Sequence, residues 1–366
     1  MFKSLTKKVT AGITAAALGL SITFSAPATA EAISLGDVIG VTVSAVAARQ
    51  QIKKQIANFN DTETGRSNLL SQFQKEHGVN DDPVLNARLD KIMQELTYAV
   101  GKVDSSIYEK PYKYFVSADK TLNAACSLGH VMMVNTGAFD YLATDDEIAA
   151  IVGHEMGHGQ KNHVAKGNEK NITKAALAQM GVIAAGGGTL ANVVGALTLK
   201  NSTAHGSKKY ETEADNLAWE YMLNTDYNIG ACAAVMQRLS ELYGGKAQNK
   251  FASFLNPSDH PNTDSRRDNY AKKLYEYSGK HASAKDGVIT INGKKFTTIA
   301  KTTNMSSAER SFFVLGNLAK AYHNGKMAGK AIVHNGSIYI EDQLIMSPSA
   351  GDEDVYTLAE RLNAIK

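Results

Sequence analysis

Apolar residues recur at helical spacing over residues 34–57, 67–76 and 83–101. In the last run Leu85, Leu89, Ile92, Met93 and Leu96 form one stripe, and Asp81-Asp82-Pro83 supplies its start, with proline early in the helix. The period then shortens. KYFVSA (113–118) and HVMMVN (130–135) have the texture of strands, and LNAACSLG between them reads as a loop. Thr144 to Glu147 forms a capping box, and Ile148, Ile151, Val152 and Met156 give the helix behind it an apolar face. Two more helical runs follow. One spans about 208–224, with Ala214, Leu217, Ala218, Tyr221 and Met222 on its stripe, and the other spans 230–243. The stretch 175–199 carries no charge and is interrupted by Gly186-Gly187-Gly188. Three successive glycines break a helix, so the pattern predicts two short helices packed through small residues, with a membrane span as the alternative.

After Tyr277 the texture changes again. VITINGKKF and AIVHNGSIYI each place an Asn-Gly pair between strand-like runs, which is a hairpin signal. Ser306 to Glu309 caps a helix through about Tyr322, and a last helix covers 352–365. The elements predict an α+β protein. An N-terminal helical segment (31–66) precedes a mainly helical domain with a small sheet (67–280), and a small α+β domain (284–366) follows. No internal repeat is evident.

Composition adds three points. Residues 1–30 have a basic start, an apolar run from Val9 to Phe24 and small residues at Ala28-Thr29-Ala30, the order of a secretory signal peptide. Its run is short for a membrane anchor. Export to a bacterial periplasm or to the cell exterior is the expectation. That segment holds Lys3, Lys7 and Lys8 and no acid, so the remaining chain is balanced in charge and offers no basic patch for nucleic acid. Cys126 and Cys232 lack the C-x-x-C spacing of a redox or zinc site, and two free buried thiols are expected over a bridge.

The densest chemistry lies in HEMGHGQKNH, residues 154–163. His154 and His158 are four apart and share a helix face, where two imidazoles can hold one zinc ion with Glu155 beside the open position. Zinc lowers the pKa of its water toward about 7, and Glu155 is then placed to act as general base. A third protein ligand is needed. If the helix continues, His163 lies about 140° from the metal face, which suits a capping or nearby hydrogen-bonding role better. Glu211 and Asp215, four apart in KYETEADNLAWEYM, form the better candidate pair. Glu211 would reach the metal, Asp215 would orient a ligating histidine through its other ring N–H, and Glu213 would be solvated.

H-E-x-x-H followed by Glu211-Thr-Glu-Ala-Asp215 resembles the gluzincin peptidases of family M48, the group of the CAAX prenyl proteases and the HtpX-like and BepA-like proteases. Asp82-Pro83, Leu122-Asn123-Ala124, Val134-Asn135-Thr136-Gly137, Asp145-Asp146-Glu147, His163 and His260-Pro261 with Arg266 extend the likeness over about 67–275. The resemblance implies a zincin-type fold, one zinc held by His154, His158 and Glu211, and Glu155 as base. It implies that His260 can approach the site, to stabilise an oxyanion or to occupy the metal and hold the enzyme shut; a plain loop histidine is the alternative. The run His130–Val134 is a candidate strand for an extended peptide. His130, Met132 and Val134 would bind substrate together with Asn123, and a plain buried strand is the alternative. Cys126-Ser127-Leu128-Gly129 stands where the family has a Pro-Gly-Gly-like turn, and residues 284–366 match no family pattern.

The expected function is therefore zinc-dependent endopeptidase action on unfolded or misassembled envelope proteins. The resemblance leaves membrane association open without requiring it. The alternative is an envelope chaperone-like binding protein whose metal site is gated or idle.

Overall fold

A computed structural model of the chain describes residues 49–50, 53–167, 208–243 and 263–366. The signal-like segment 1–30, the uncharged stretch 175–199 and His260-Pro261 lie outside the described residues. A helical stretch at 53–61 leads into α1 (Glu63–His77) and α2 (Pro83–Val103). Asp82 caps α2 by accepting from the Val84 and Leu85 backbone N–H groups, and Pro83 fills the first helical position, where its missing N–H costs nothing. Then come β1 (Lys113–Ser117), β2 (Ala124–Cys126), β3 (Val131–Asn135), α3 (Thr136–Tyr141), α4 (Asp145–Gln160), α5 (Lys208–Leu223), α6 (Ala231–Tyr243) and α7 (Thr263–Tyr277).

The first sheet has the order β1-β3-β2, with β3 parallel to β1 and antiparallel to β2. The strand β2 occupies part of the segment read from the sequence as a loop. It is three residues long, and two of them are alanine, which has little strand preference. Side chains alternate between two apolar clusters. Val116, Ala124, Cys126, Met132 and Val134 face the main core with α2 and α4. Phe115, Ala125, Val131 and Met133 face a second cluster built with Ile56, Phe59, Leu69 and Phe73. The segment 53–77 therefore covers the other face of the sheet. It also grips the turn after β2. Arg66, buried, donates to the Gly129 carbonyl (2.6 Å) and to the Pro111 carbonyl, while Asn60 accepts from the Gly129 N–H (2.9 Å). Gly129 has φ +64°, and a Cβ there would lie 2.4 Å from the Phe59 carbonyl oxygen, so the turn requires glycine.

The C-terminal region comprises β4 (Ala282–Lys285), β5 (Val288–Ile291), β6 (Lys294–Thr298), α8 (Ser307–His323), β7 (Ala331–His334), β8 (Ser337–Ile340), β9 (Gln343–Met346) and α9 (Val355–Ile365). These are two copies of one three-stranded meander followed by a helix, a repeat that the sequence alone did not reveal. The pairing Ala282↔Ile291 becomes Ala331↔Ile340, and the bulge at Ile289/Thr290 recurs at Ile338/Tyr339. Both Asn-Gly and Asp-Gly links are two-residue turns with both residues at positive φ, as a tight hairpin requires. The helices are exchanged between the copies. α8 packs on β4 and β9, and α9 packs on β7 and β6, giving the region an approximate two-fold relation.

This region is not set apart from the helices before it. Its inner residues belong to the same apolar cluster as α2, α4 and α6. At the junction α8 crosses the start of α6 so closely that a Cβ on Gly230 would lie 2.0 Å from the Phe312 carbonyl oxygen. Asn228 seals the crossing by donating to Phe313 O and accepting from Gly230 N.

Candidate metal centre

The helix α4 is the backbone of the site. Thr144 and Glu147 cap it reciprocally, and every residue from Glu147 to Gln160 is buried. A wholly buried helix can carry polar groups only where partners are waiting for them. The partners come mainly from α5, which approaches so closely that a Cβ on Gly157 would lie 3.1 Å from Ala214 Cα.

Three of these polar groups converge. His154 Nε2 and His158 Nε2 are 3.1 Å apart. His154 Nε2 lies 3.4 Å from Glu211 Oε2, and His158 Nε2 lies 3.3 Å from Glu211 Oε1. All three side chains are buried, and they are the group among the described residues whose donor atoms can share an ion. The spacing fits zinc. Donors about 2.0–2.1 Å from a tetrahedral ion sit roughly 3.3–3.4 Å from one another. Glu155 is buried beside this triad, and its Oε2 accepts from the Cys126 backbone N–H on β2 at 2.9 Å.

Asp215 stands behind His154, with Oδ1 3.0 Å from Nδ1. Arg266, which the sequence offered only as part of the family likeness and without a role, reaches the same carboxylate. Its buried guanidinium donates twice to Asp215, at 2.9 and 2.6 Å, and its Nη1 lies 3.9 Å from Glu211. Tyr270 adds a third donor to Asp215 Oδ1 at 3.0 Å. A signal was present. Arg266, Tyr270 and Leu274 follow one another at four-residue spacing and form the buried face of α7, so an arginine occupies a core position. The electrostatics follow from this packing. Burial and the Arg266 charge push the His154 imidazole down, but the Asp215 and Glu211 carboxylates outweigh them and raise it to about 9. Burial pushes the Asp215 carboxyl up, and Arg266 and His154 more than reverse this, holding it well below the usual carboxylate range.

Two expectations need correction, while His163 has the expected hydrogen-bonding role near the site by a route other than continued winding. The helix ends at Gln160, and Asn162, at φ +51°, turns the chain so that His163 Nδ1 comes within 2.9 Å of His158 Nδ1. Glu213 is not merely solvated, since its carboxylate meets His163 Nε2 at 3.3 Å. The strand containing Met132 and Val134 is the middle strand of its sheet, paired on both sides, so it presents no edge to an incoming peptide. Both residues are buried, and His130 is stacked on Tyr112 with its Nδ1 against Lys110 O. Asn123 is also buried, and its carbonyl accepts from the Asn135 N–H on β3. The outer strand on the Glu155 side is β2, which among the described residues pairs only with β3. Asn123 O and Ser127 N bond toward β3, so by alternation the backbone groups of Ala124 and Cys126 face outward, toward Glu155. Cys126 and Cys232 are both free and buried.

Residues 83–272, about half of the chain, match the model of peptidase family M48. The chain belongs to peptidase family M48. It is similar to Metalloprotease LoiP of Escherichia coli, 28% identical over 172 residues that cover 46% of this chain and 65% of LoiP. It is also similar to the mitochondrial metalloendopeptidase OMA1 of Arabidopsis thaliana, 30% identical over 142 residues, covering 39% of this chain and 28% of that one. The beta-barrel assembly-enhancing protease of Yersinia pestis is 21% identical over 168 residues, covering 44% and 34%. The chain thus spans less than two thirds of the length of each of these relatives. The M48 match ends at residue 272, before the tandem meanders, and begins at residue 83, after the segment that covers the sheet. No described helix is long and apolar enough to cross a membrane.

Proposed function

We propose that this protein is a zinc-dependent endopeptidase that cuts extended segments of unfolded or misassembled polypeptides in the cell envelope, with one zinc per chain. The observation that carries the reading is the buried triad of His154, His158 and Glu211 at the edge lengths of a tetrahedral site, with Glu155 beside it. Membership of peptidase family M48 supports the chemistry. The signal-like order of residues 1–30, and the naming of the Yersinia pestis relative for beta-barrel assembly, support the envelope.

His154, His158 and Glu211 would hold the ion, which when bound supplies a Lewis acid for the scissile carbonyl and lowers the pKa of a water toward about 7. Asp215 keeps the His154 proton on Nδ1 and leaves Nε2 free to ligate. Arg266 and Tyr270 in turn fix Asp215. Glu155 takes the proton from the attacking water and delivers it to the leaving amine. The outward N–H and C=O groups of β2 are the rail along which an extended peptide hydrogen-bonds, which brings its backbone past Glu155. His260 keeps the oxyanion or gating role implied by the family resemblance.

Casein digestion tests this. Glu155→Gln is expected to lower turnover by about 10²- to 10⁴-fold while keeping one zinc per chain, and Glu211→Ala is expected to lose the metal. Undiminished cleavage by the Glu155 variant would sink the proposal. Stoichiometric zinc in the Glu211 variant would demand another third ligand.

A further inference from the structure

Where His154 turns its Nδ1 to the Asp215 carboxylate, His158 turns its Nδ1 to a ring nitrogen of His163. Resting on the metal reading above, we propose that His163 is a positioning residue. With Glu213 it forms a directed hydrogen-bond relay that keeps the His158 proton on Nδ1 and leaves Nε2 as a lone-pair donor facing the metal position.

The direction of the relay follows from which atoms can donate. His158 Nδ1 and His163 Nδ1 are 2.9 Å apart, so one carries the shared proton and the other accepts it. His163 Nε2 faces the Glu213 carboxylate at 3.3 Å, and an ionised carboxylate only accepts. His163 must therefore carry its proton on Nε2. A neutral ring is then bare at Nδ1 and accepts from His158 Nδ1–H. His158 Nε2 is left with its lone pair pointing at the space shared with His154 Nε2 and Glu211 Oε1. The reverse assignment sets the His163 Nε2 lone pair against the Glu213 carboxylate and puts a proton on His158 Nε2, where no metal could then bind.

The geometry holds the ring in this pose. His163 is buried, and Tyr210 stacks on it with centroids 4.2 Å apart and planes 11° from parallel. The left-handed Asn162 sets the approach. Each ligating histidine thus has its own orienting partner: Asp215 directly for His154, and His163 with Glu213 for His158.

Zinc affinity of the full-length protein, measured by competition with a chromophoric chelator, tests the relay without reference to turnover. His163→Ala is expected to weaken binding by about 10- to 100-fold, the usual cost of removing an orienting partner. His163→Asn places an amide oxygen near the Nδ1 position and is expected to return affinity to within about threefold of wild type. Both variants lose the Tyr210 stack, so thermal unfolding of the metal-stripped proteins should show a similar loss for the two. Wild-type affinity in His163→Ala would overturn the inference. So would equal weakening in both variants in step with their metal-free stability, because packing alone would then account for it. If wild type binds no zinc, the endopeptidase reading falls and takes this inference with it; a zinc-binding wild type confines any failure to His163.

Discussion

The metal region and the tandem meanders both have well-buried interiors, but they are filled by opposite means. Around α4 and α5 the buried side chains include Glu147, His154, Glu155, His158, His163 and Glu211, with Arg266 reaching in from α7. In the meanders the inner rows read Ala282, Ile289, Ile291 and Phe296 in one copy and Ala331, Ile338, Ile340 and Ile345 in the other. The first set is constrained atom by atom, because each donor needs its acceptor. The second is constrained only in volume and alternation, so Phe296 in one copy can be Ile345 in the other while the strand register and the bulge persist. The outer rows have drifted further. Ser283, Thr290 and Lys295 on the first copy correspond to Ile332, Tyr339 and Leu344 on the second. Buried ion pairs seldom stabilise a fold on balance. The metal region therefore depends on the apolar cluster that runs from α2 through α6 into the meanders.

Substitutions on either side should separate the two kinds of interior. The largest effect is expected from Asp215→Ala, which strands the buried Arg266 charge and frees the His154 ring. Breaking such a pair costs about 3–5 kcal/mol, measurable by denaturant unfolding, and zinc affinity should fall with it. A loss below about 1 kcal/mol would mean that solvent reaches Arg266 and that the contrast with the meanders is overstated.

Next come Ile289→Ala and Ile338→Ala, equivalent positions in the two copies and both fully buried. Each is expected to cost about 2–5 kcal/mol in unfolding free energy, with the two values close and zinc affinity unchanged. Unequal losses would show that the copies share a backbone without sharing an energetic role.

The smallest effect, read per pH unit, concerns a buried charge cluster that joins the two regions. Glu309, at the start of α8, and Glu147, at the start of α4, both meet Arg238 from α6. Burial and the Glu147 carboxylate raise Glu309 from 4.5 to about 9, against the pull of Arg238. A raised carboxyl pKa means that the folded chain keeps a proton that the unfolded chain releases. This contribution to stability is complete below pH 4.5 and is lost as pH rises toward 9, with a slope of at most about 1.4 kcal/mol per pH unit. Glu309→Gln cannot ionise, so its stability relative to wild type should climb across that window in pH-dependent denaturant melts. A constant difference between the two would show that Glu309 is already ionised at neutral pH.

Much of the site could be read from residue spacing, because helical periodicity converts sequence distance directly into direction. His154 and His158, then Glu211 and Asp215, each lie four apart on a helix whose stripe and cap are plain in the sequence. The parts that spacing missed arise between elements. Strand β2 is recognisable only from its pairing with β3, because its own residues have little strand preference. The partners of His163 depend on a single left-handed residue, Asn162, which ends the helical periodicity on which its expected direction was based. The doubled meander escaped notice because its copies agree in alternation and turn positions while differing in most side chains.

The sequence by itself determined the helices, their caps, the two-residue turns and the residue types able to hold a metal, since those follow from local sterics and from donor chemistry that neighbours cannot alter. Only the tertiary structure decided which strand edge lies beside Glu155, that Arg266 supports Asp215, and that one apolar core runs from the metal helix into the C-terminal meanders. Those outcomes depend on contacts between residues far apart in the chain, and one element's pattern does not encode which face of another it will meet.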